Sequence, residues 1–160
     1  MIPNIYDKTG NTKYGELVDC IKGIVIEVRN GLFQAEVQYC LFSPHWDKLI
    51  RGNIIIADAN DILKNQKFRI NKVSKPINGQ FTVKAKHISY DMARDIIEGL
   101  EIESQSCEYC LNQIFRSSQF SQHFKGHSDI INSQNFKIKE TNPLNAIAGT
   151  EGSIIDTFGT

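Results

Sequence analysis

The chain has 160 residues and a mass of 18.1 kDa, enough for one full domain, or for one domain and the start of another. Its 18 basic and 18 acidic side chains give a net charge of zero. This balance argues against a protein whose main task is to bind a nucleic-acid backbone, because such binding relies on excess positive charge. The longest apolar runs fall far short of the ~20 residues of a membrane span, and the N-terminus lacks the basic and apolar regions of a secretory signal.

The strongest local pattern predicts a β-hairpin over residues 24–39. Apolar side chains fall at every second position on both sides of Asn30-Gly31, a dipeptide that favours the positive φ angles of a type I′ turn. The side chains predicted to share a face are Ile24, Ile26 and Val28 in the first strand, and Phe33, Ala35, Val37 and Tyr39 in the second.

Further short strands separated by turns predict an antiparallel sheet, curled into a barrel or a sandwich. A turn at residues 76–79 separates two of these strands. The predicted strands cover residues 2–6, 16–20, 53–58, 66–74 and 80–88, with shorter ones at 100–103 and 136–139.

Three helices are predicted in the C-terminal half. Ser89 is a candidate N-cap for a helix over residues 90–98, and Ser106 is one for a second helix that ends at Ser117-Ser118. Asn142-Pro143 opens a third, because proline suits the first helical position. Residues 151–158 are a candidate for one more turn of helix.

One spacing matches a metal site. Cys107-x2-Cys110, twelve residues and His123-x3-His127 correspond to a Cys2His2 zinc finger, a nucleic-acid-binding module. The predicted local structure argues against it, since a helix starts at the cysteines and Gly126 disfavours one at the histidines. The alternative is that Cys107 and Cys110 are helix residues, with Cys110 buried as a small hydrophobe, and that both histidines lie in a surface loop.

The remaining cysteines and histidines give no specific catalytic pattern. Cys107-x2-Cys110 also has redox spacing, but the βαβ context of such motifs is missing. A Cys–His nucleophile pair could come from any of the four cysteines, which include Cys20 and Cys40 and are expected to be free thiols. His87 is expected to be a core or rim residue, and Trp46 a loop aromatic that covers one end of the sheet.

Several segments together resemble one family, the N-terminal region of phage tail hub proteins (prophage tail endopeptidases, tail-associated lysins or phage minor structural proteins). Their order and spacing carry the resemblance more than any single piece. The matching segments are residues 2–7 (IPNIYD), 28–33 (VRNGLF), 66–70 (QKFRI), 85–92 (AKHISYDM), 142–149 (NPLNAIAG) and 151–155 (EGSII).

The resemblance implies a virion component at the tail tip, made in the cytoplasm of the host bacterium. Such proteins form a trimeric hub of barrel-like β domains beneath the distal tail protein ring, close the tail tube and contact the tape measure protein. Any lysin or receptor-binding activity is expected in C-terminal modules beyond this chain. No membrane contact and no specific nucleic-acid binding are implied.

The expected fold class is therefore α+β, mainly antiparallel β, with a β hub domain over residues 1–98 and a truncated second α/β hub domain over 99–160. No catalytic, cofactor-binding or metal-binding residue is assigned. The apolar residues Ile147, Ile154, Ile155 and Phe158 would normally pack against residues beyond Thr160, so in this chain they are expected to be partly exposed or held only by the preceding helix. We therefore expect the residues after about Glu140 to be the least ordered, and this chain to trimerise weakly or not at all.

Overall fold

The computed structural model describes residues 2–28 and 31–159. The chain divides into two compact units, residues 1–88 and 89–160, whereas the sequence placed the division after Glu98. No helix in the described ranges is both long enough and apolar enough to cross a membrane.

Unit 1 is an antiparallel sheet whose seven strands lie in the order β2-β1-β5-β6-β7-β4-β3. Residues 2–28 and 31–159 show no pairing between the end strands β2 and β3, so the sheet is open and not a closed barrel. The mainly antiparallel β class predicted from the sequence is confirmed. The strands are β1 (Asn4–Tyr6), β2 (Lys13–Glu16), β3 (Cys20–Glu27), β4 (Phe33–Cys40), β5 (Ile54–Ala57), β6 (Gln66–Val73) and β7 (Gln80–His87).

The core of unit 1 lies on one face of this sheet. Successive side chains of a strand point to opposite faces, so β4 places Ala35, Val37 and Tyr39 together in the core, on the shared face that the sequence predicted. The in-register neighbours on β7 continue the same layer: Ala35 pairs with Ala85, Val37 with Val83 and Tyr39 with Phe81. The core also contains Ile5, Leu17, Leu49, Ile55, Ala57, Phe68 and Ile70.

The apolar row of β3 lies on the opposite face. Ile24 pairs with Glu36 and Ile26 with Gln34, both on the outer face of β4, so these isoleucines face solvent. Val25 packs against the core in their place. The row predicted from the sequence therefore shares a face, but that face is the exposed one.

The sequence has two Asn-Gly pairs in predicted turns, Asn30-Gly31 and Asn78-Gly79, and the backbone hydrogen bonds around them differ. Ile77 and Gln80 exchange both backbone hydrogen bonds around Asn78 (φ 51°) and Gly79 (φ 74°), as a type I′ turn requires. Between β3 and β4, Val28 donates to the Leu32 carbonyl and three residues lie between them, one more than the predicted turn has. Asn30 of that predicted turn lies outside the described residues.

Unit 2 is built around a two-stranded antiparallel sheet of β8 (Ile97–Ser106) and β9 (Ser133–Thr141). A 3-10 helix, Ile88–Arg94, precedes β8, and another, Ser121–His123, follows the first α-helix. The α-helices are α1 (Cys107–Ser117), α2 (Pro143–Ile147) and α3 (Ile154–Phe158).

The helix predicted over residues 90–98 is wrong beyond Arg94. Strand β8 begins at Ile97, which pairs with Thr141, and Gly99 pairs with Lys139 instead of terminating a helix. Gly99 has φ +120°, and a Cβ there would lie 3.1 Å from the Ile138 carbonyl oxygen. Pairing with a distant strand therefore overrides local helix propensity.

The second core combines the sheet with the three helices. The N-caps predicted for α1 and α2 are confirmed: Ser106 accepts from Tyr109 N at 3.2 Å, and Asn142 accepts from Asn145 N at 2.9 Å. Of the residues expected to be partly exposed, Ile154 is buried, and Ile147 and Phe158 are partly buried against this core. The core residues are Met92, Ile97, Cys107, Cys110, Ile114, Phe115, Phe136, Ile138, Ala146 and Ile154.

Replacing Phe68 by alanine tests the unit 1 core. Phe68 is fully buried and packs edge-on against Phe33 at 5.3 Å. Truncation leaves a cavity, so we expect a loss of about 3–5 kcal/mol in the free energy of unfolding, measured by urea denaturation. Ile62→Ala, at a site 88% exposed, is the control and should change stability by less than about 0.5 kcal/mol. Equal effects of both changes would contradict this assignment of the core.

The expectation that residues after Glu140 are least ordered remains a prediction. Both α2 and α3 have five residues, and helices this short depend on tertiary contacts. We expect amides 144–158 to exchange with solvent faster than those of β4 and β7, as measured by hydrogen exchange with mass spectrometry. Equal protection in the two regions would show that the C-terminal segment is an integral part of unit 2.

Candidate functional site

The two cysteines of the zinc motif lie on α1 and face the second core. Apolar and small residues of this helix recur at three- and four-residue spacing, so one side of the helix is buried. Cys107, Cys110 and Ile114 are on that side. The predicted helix residues are confirmed, and the burial of Cys110 as a small hydrophobe is confirmed with them.

Burial also changes the chemistry of these thiols. The pKa of Cys110 is raised to about 11, mainly because burial desolvates the thiol and secondly because Cys107 lies nearby. The thiolate is the form that binds metal or attacks an electrophile. Cys110 is therefore a protonated thiol at neutral pH, poorly suited to either role.

The two histidines of the motif are engaged elsewhere. His123 ends the 3-10 helix Ser121–His123, and its Nδ1 lies 2.9 Å from the Phe120 carbonyl oxygen. His127 is exposed, with Nδ1 2.9 Å from Glu108 Oε2. Across residues 2–28 and 31–159, no group of three or more His, Cys, Asp or Glu side chains is placed to hold a metal ion. The structure therefore does not bring the four residues of the motif together.

The segment that carries His127 is fixed to α1 by Asn112. The side-chain amide of Asn112 donates to the Gly126 carbonyl at 3.0 Å, and its Oδ1 accepts from Gly126 N at 3.2 Å. A Cβ on Gly126 would lie 2.5 Å from Leu111 Cβ, so the backbone approaches the helix as closely as only glycine allows. This docking explains why the histidines do not form the helix of a zinc finger.

A buried carboxylate that the sequence analysis did not single out organises the same region. Asp95 is only 7% exposed. Its oxygens accept from the backbone N–H groups of Ile96, Gln119, Phe120 and Ser121, at 2.8, 3.1, 2.9 and 2.6 Å. Four donors converging on one carboxylate tie the start of β8 to the segment that follows α1.

The electrostatics of Asp95 follow from these bonds. Burial by itself raises the pKa of this carboxyl, but the hydrogen bonds from Ser121, Phe120, Ile96 and Gln119 outweigh burial and lower the pKa from 3.8 to about 2. A carboxylate satisfied by backbone donors in this way is a structural anion. Its donors already fill the site, so we assign it no catalytic role.

The other two histidines have packing roles in unit 1. His87 ends β7, stacks on Phe33 with ring centroids 4.4 Å apart, and lies 3.2 Å from Gln66 Oε1 through Nε2. This matches the rim position predicted from the sequence. The His45 ring lies against Gly15, where a Cβ would overlap it.

The outer face of the unit 1 sheet combines exposed apolar side chains with basic ones. Ile24 and Ile26 form an exposed apolar row on β3, and the exposed Val28 follows the end of this strand. The strands beyond β4 present basic side chains there, and one of them, Lys84, lies 3.1 Å from Glu36. Four of these basic residues, Lys67, Arg69, Lys84 and Lys86, alternate with buried ones, and Lys72 pairs with Lys84 beyond a register shift. A face of this kind suits contact with another macromolecule better than binding of a small molecule.

A chelation experiment tests the assignment of the cysteines. If Cys107 and Cys110 are core residues, a large excess of EDTA or one equivalent of zinc should each leave the melting temperature unchanged within about 1 °C, because no zinc-dependent folding energy is involved. Differential scanning fluorimetry measures this. A rise of several degrees on adding zinc, lost in Cys107→Ser, would restore the zinc-finger interpretation.

Asp95→Asn should destabilise unit 2. With about 1.4 kcal/mol per pKa unit, the lowered pKa of Asp95 corresponds to about 2.5 kcal/mol at pH 7. Because the folded-state pKa is below the unfolded one, this stabilisation is complete above about pH 5 and is lost as the pH falls toward 2. Urea denaturation at several pH values should show the variant and wild type converging in acid. Asp129→Asn, at an exposed site, is the control and should leave the free energy of unfolding nearly unchanged. A difference in unfolding free energy between Asp95→Asn and wild type that does not change with pH would contradict the role assigned to Asp95.

Comparison with known proteins gives a match in fold. No family model matches the chain, and no curated protein matches it significantly. Among solved structures, the chain is similar to the prophage tail protein gp18 from Listeria monocytogenes EGD-e, with a TM-score of 0.70 at 16% sequence identity. The similarity covers 99% of this chain and 46% of gp18, so the chain spans less than half the length of that protein. The chain therefore has the mainly antiparallel β fold, with few short helices, of a prophage tail protein.

Proposed function

We propose that this chain is a structural part of a phage or prophage tail. One observation carries the proposal: the fold of this chain is similar to that of a prophage tail protein, and the similarity covers 99% of the chain and therefore both units. Fold alone does not determine function, so the surfaces of the chain have to be consistent with the role. The apolar row on β3 is consistent, because subunits of an assembly bury such rows against their neighbours.

The chemistry of the chain supports a non-enzymatic role. The buried carboxylate Asp95 is saturated by backbone donors, and Cys110 is a protonated core thiol. His87 is stacked in the rim of the first core. These groups have structural partners, so their environments are accounted for without a substrate.

Within the tail, we propose the position of a hub at the distal tip, as the sequence resemblance implies. The full-length protein would form a trimer, contact the distal tail protein ring and the tape measure protein, and close the tube. Lysin or receptor-binding modules would follow this chain. The match to less than half of gp18 supports a role as one region of a longer tail protein.

Labelling of virions tests this proposal. Particles induced from the producing strain would be purified and probed with a gold-conjugated antibody raised against unit 1. We expect label at the distal end of the tail, with an antibody to the tube protein marking the whole length as the control. Protein that stays in the soluble cell extract would contradict a tail role, and label along the tube or at the neck would contradict the tip position.

A further inference from the structure

The two units of the chain carry opposite charges, which cancel in the total. Unit 1 has 13 basic and 8 acidic side chains and a net charge of +5, whereas unit 2 has 5 basic and 10 acidic ones and a net charge of −5. Excess charge of one sign works against the compact state of each unit through self-repulsion. Contact between unlike surfaces offsets this repulsion, so the segregation of charge points to an interface.

Part of the positive charge of unit 1 lies on the outer face of its sheet. Two pairs of like charges stand directly opposite each other there: Arg69 pairs with Lys86, and Lys72 pairs with Lys84. Such pairs destabilise a sheet. Together with Lys67 on β6, these four residues form the basic face of unit 1.

Neighbouring groups neutralise the basic face only in part. Lys84 Nζ lies 3.1 Å from Glu36, the one carboxylate that strand β4 contributes. Arg69 donates to two backbone carbonyl oxygens, at 2.7 and 2.9 Å. Glu36 pairs with Lys84, which in turn faces the exposed Lys72, so this row across the sheet keeps a net positive charge. The basic face therefore suits an anionic partner.

In unit 2, acidic side chains form a comparable pair. The register of β8 and β9 places the exposed Glu98 opposite the exposed Glu140. Glu140 and Glu151 line the same hollow. Lys137 and Lys139 line it too, but Lys137 lies 2.9 Å from a carboxylate of β8. The three carboxylates Glu98, Glu140 and Glu151, the acidic patch of unit 2, therefore outnumber the cations beside them.

We propose that the basic face of one copy of the chain binds the acidic patch of a second copy. When the two patches meet, the like-charge pairs within each sheet gain neighbours of opposite sign, so both copies lose a repulsion. The patches differ, so the contact is head to tail: each copy offers its basic face to one neighbour and its acidic patch to another, and such contacts can close into a ring. This inference rests on the trimer proposed above and names the surfaces that would hold it together.

Other features of the outer face favour a protein partner over a nucleic acid. Ile24 and Ile26 on β3 add exposed apolar surface beside the outer residues of β4, and protein interfaces combine apolar with charged surface. The outward positions of β6 and β7 hold no aromatic side chain, whereas surfaces that bind single-stranded nucleic acid stack the bases on aromatic rings. The chain itself supplies the opposite charge, on its acidic patch.

Sedimentation velocity at low and high ionic strength tests the contact. Contacts between surface charges are weak, so the protein concentration should run from about 10 μM to about 1 mM. In about 20 mM NaCl, where screening is slight, we expect association that approaches a mass of three copies. In about 300 mM NaCl the shorter Debye length should lower the association constant at least tenfold.

Charge reversal locates the contact. Lys72→Glu and Glu140→Lys should each weaken association about tenfold at low salt, and the double variant that carries both should associate more tightly than either. Each single change also turns a like-charge pair into an opposite-charge pair, so neither variant should melt below the wild type. The controls Lys75→Glu and Asp129→Lys reverse exposed charges of the same two units outside both patches, and they should leave the association constant within about twofold of the wild-type value.

Three results would overturn the proposal. The first is a wild-type chain that stays monomeric up to about 1 mM in low salt. The second is association that Lys72→Glu and Glu140→Lys leave unchanged, or that stops at a mass of two copies at saturation. The third is a labelled DNA duplex that binds more tightly than a second copy and loses binding in Lys72→Glu, which would assign the basic face to a nucleic acid. The proposed tail role is decided separately, by labelling of virions.

Discussion

The alternation of side chains along β4 is the constraint on which unit 1 depends. Because β4 is paired on both edges, with β3 and with β7, its inward residues Ala35 and Val37 fix which residues of both neighbours face the core. A shift of one residue in either pairing would turn every neighbouring side chain to the wrong face. The exposed row of Ile24 and Ile26 is a direct result, since their partners on β4 are polar.

Tyr39 connects this core to the surface. Its ring is fully buried, and burial is the main cause that raises the pKa of its hydroxyl, which stays protonated. A buried hydroxyl needs a hydrogen-bond partner, and the Pro44 carbonyl provides it. The loop that follows β4 is therefore held at Pro44 by a hydrogen bond from inside the core.

The features that the sequence predicted are those encoded locally. The strict alternation of residues 33–39 determines β4, and Ser106 and Asn142 act on N–H groups three residues away. The features it missed depend on distant residues. Asp95 accepts from Gln119 to Ser121, more than twenty residues further along, and β8 replaces a helix because β9 pairs with it. The Cys107–His127 spacing matched a zinc finger because spacing carries no information about burial.

The two buried thiols of α1 also determine how the protein behaves when it unfolds. Cys107 and Cys110 are 2% and 0% exposed, so the folded chain shields them from oxidants. Opening of unit 2 exposes them together and lowers the pKa of Cys110 toward that of an ordinary thiol, a form that readily forms disulfides between chains. We therefore expect heating in air to produce disulfide-linked aggregates, and unfolding to be more reversible when a reducing agent is present. Packing of the second core thus protects these two cysteines from oxidation.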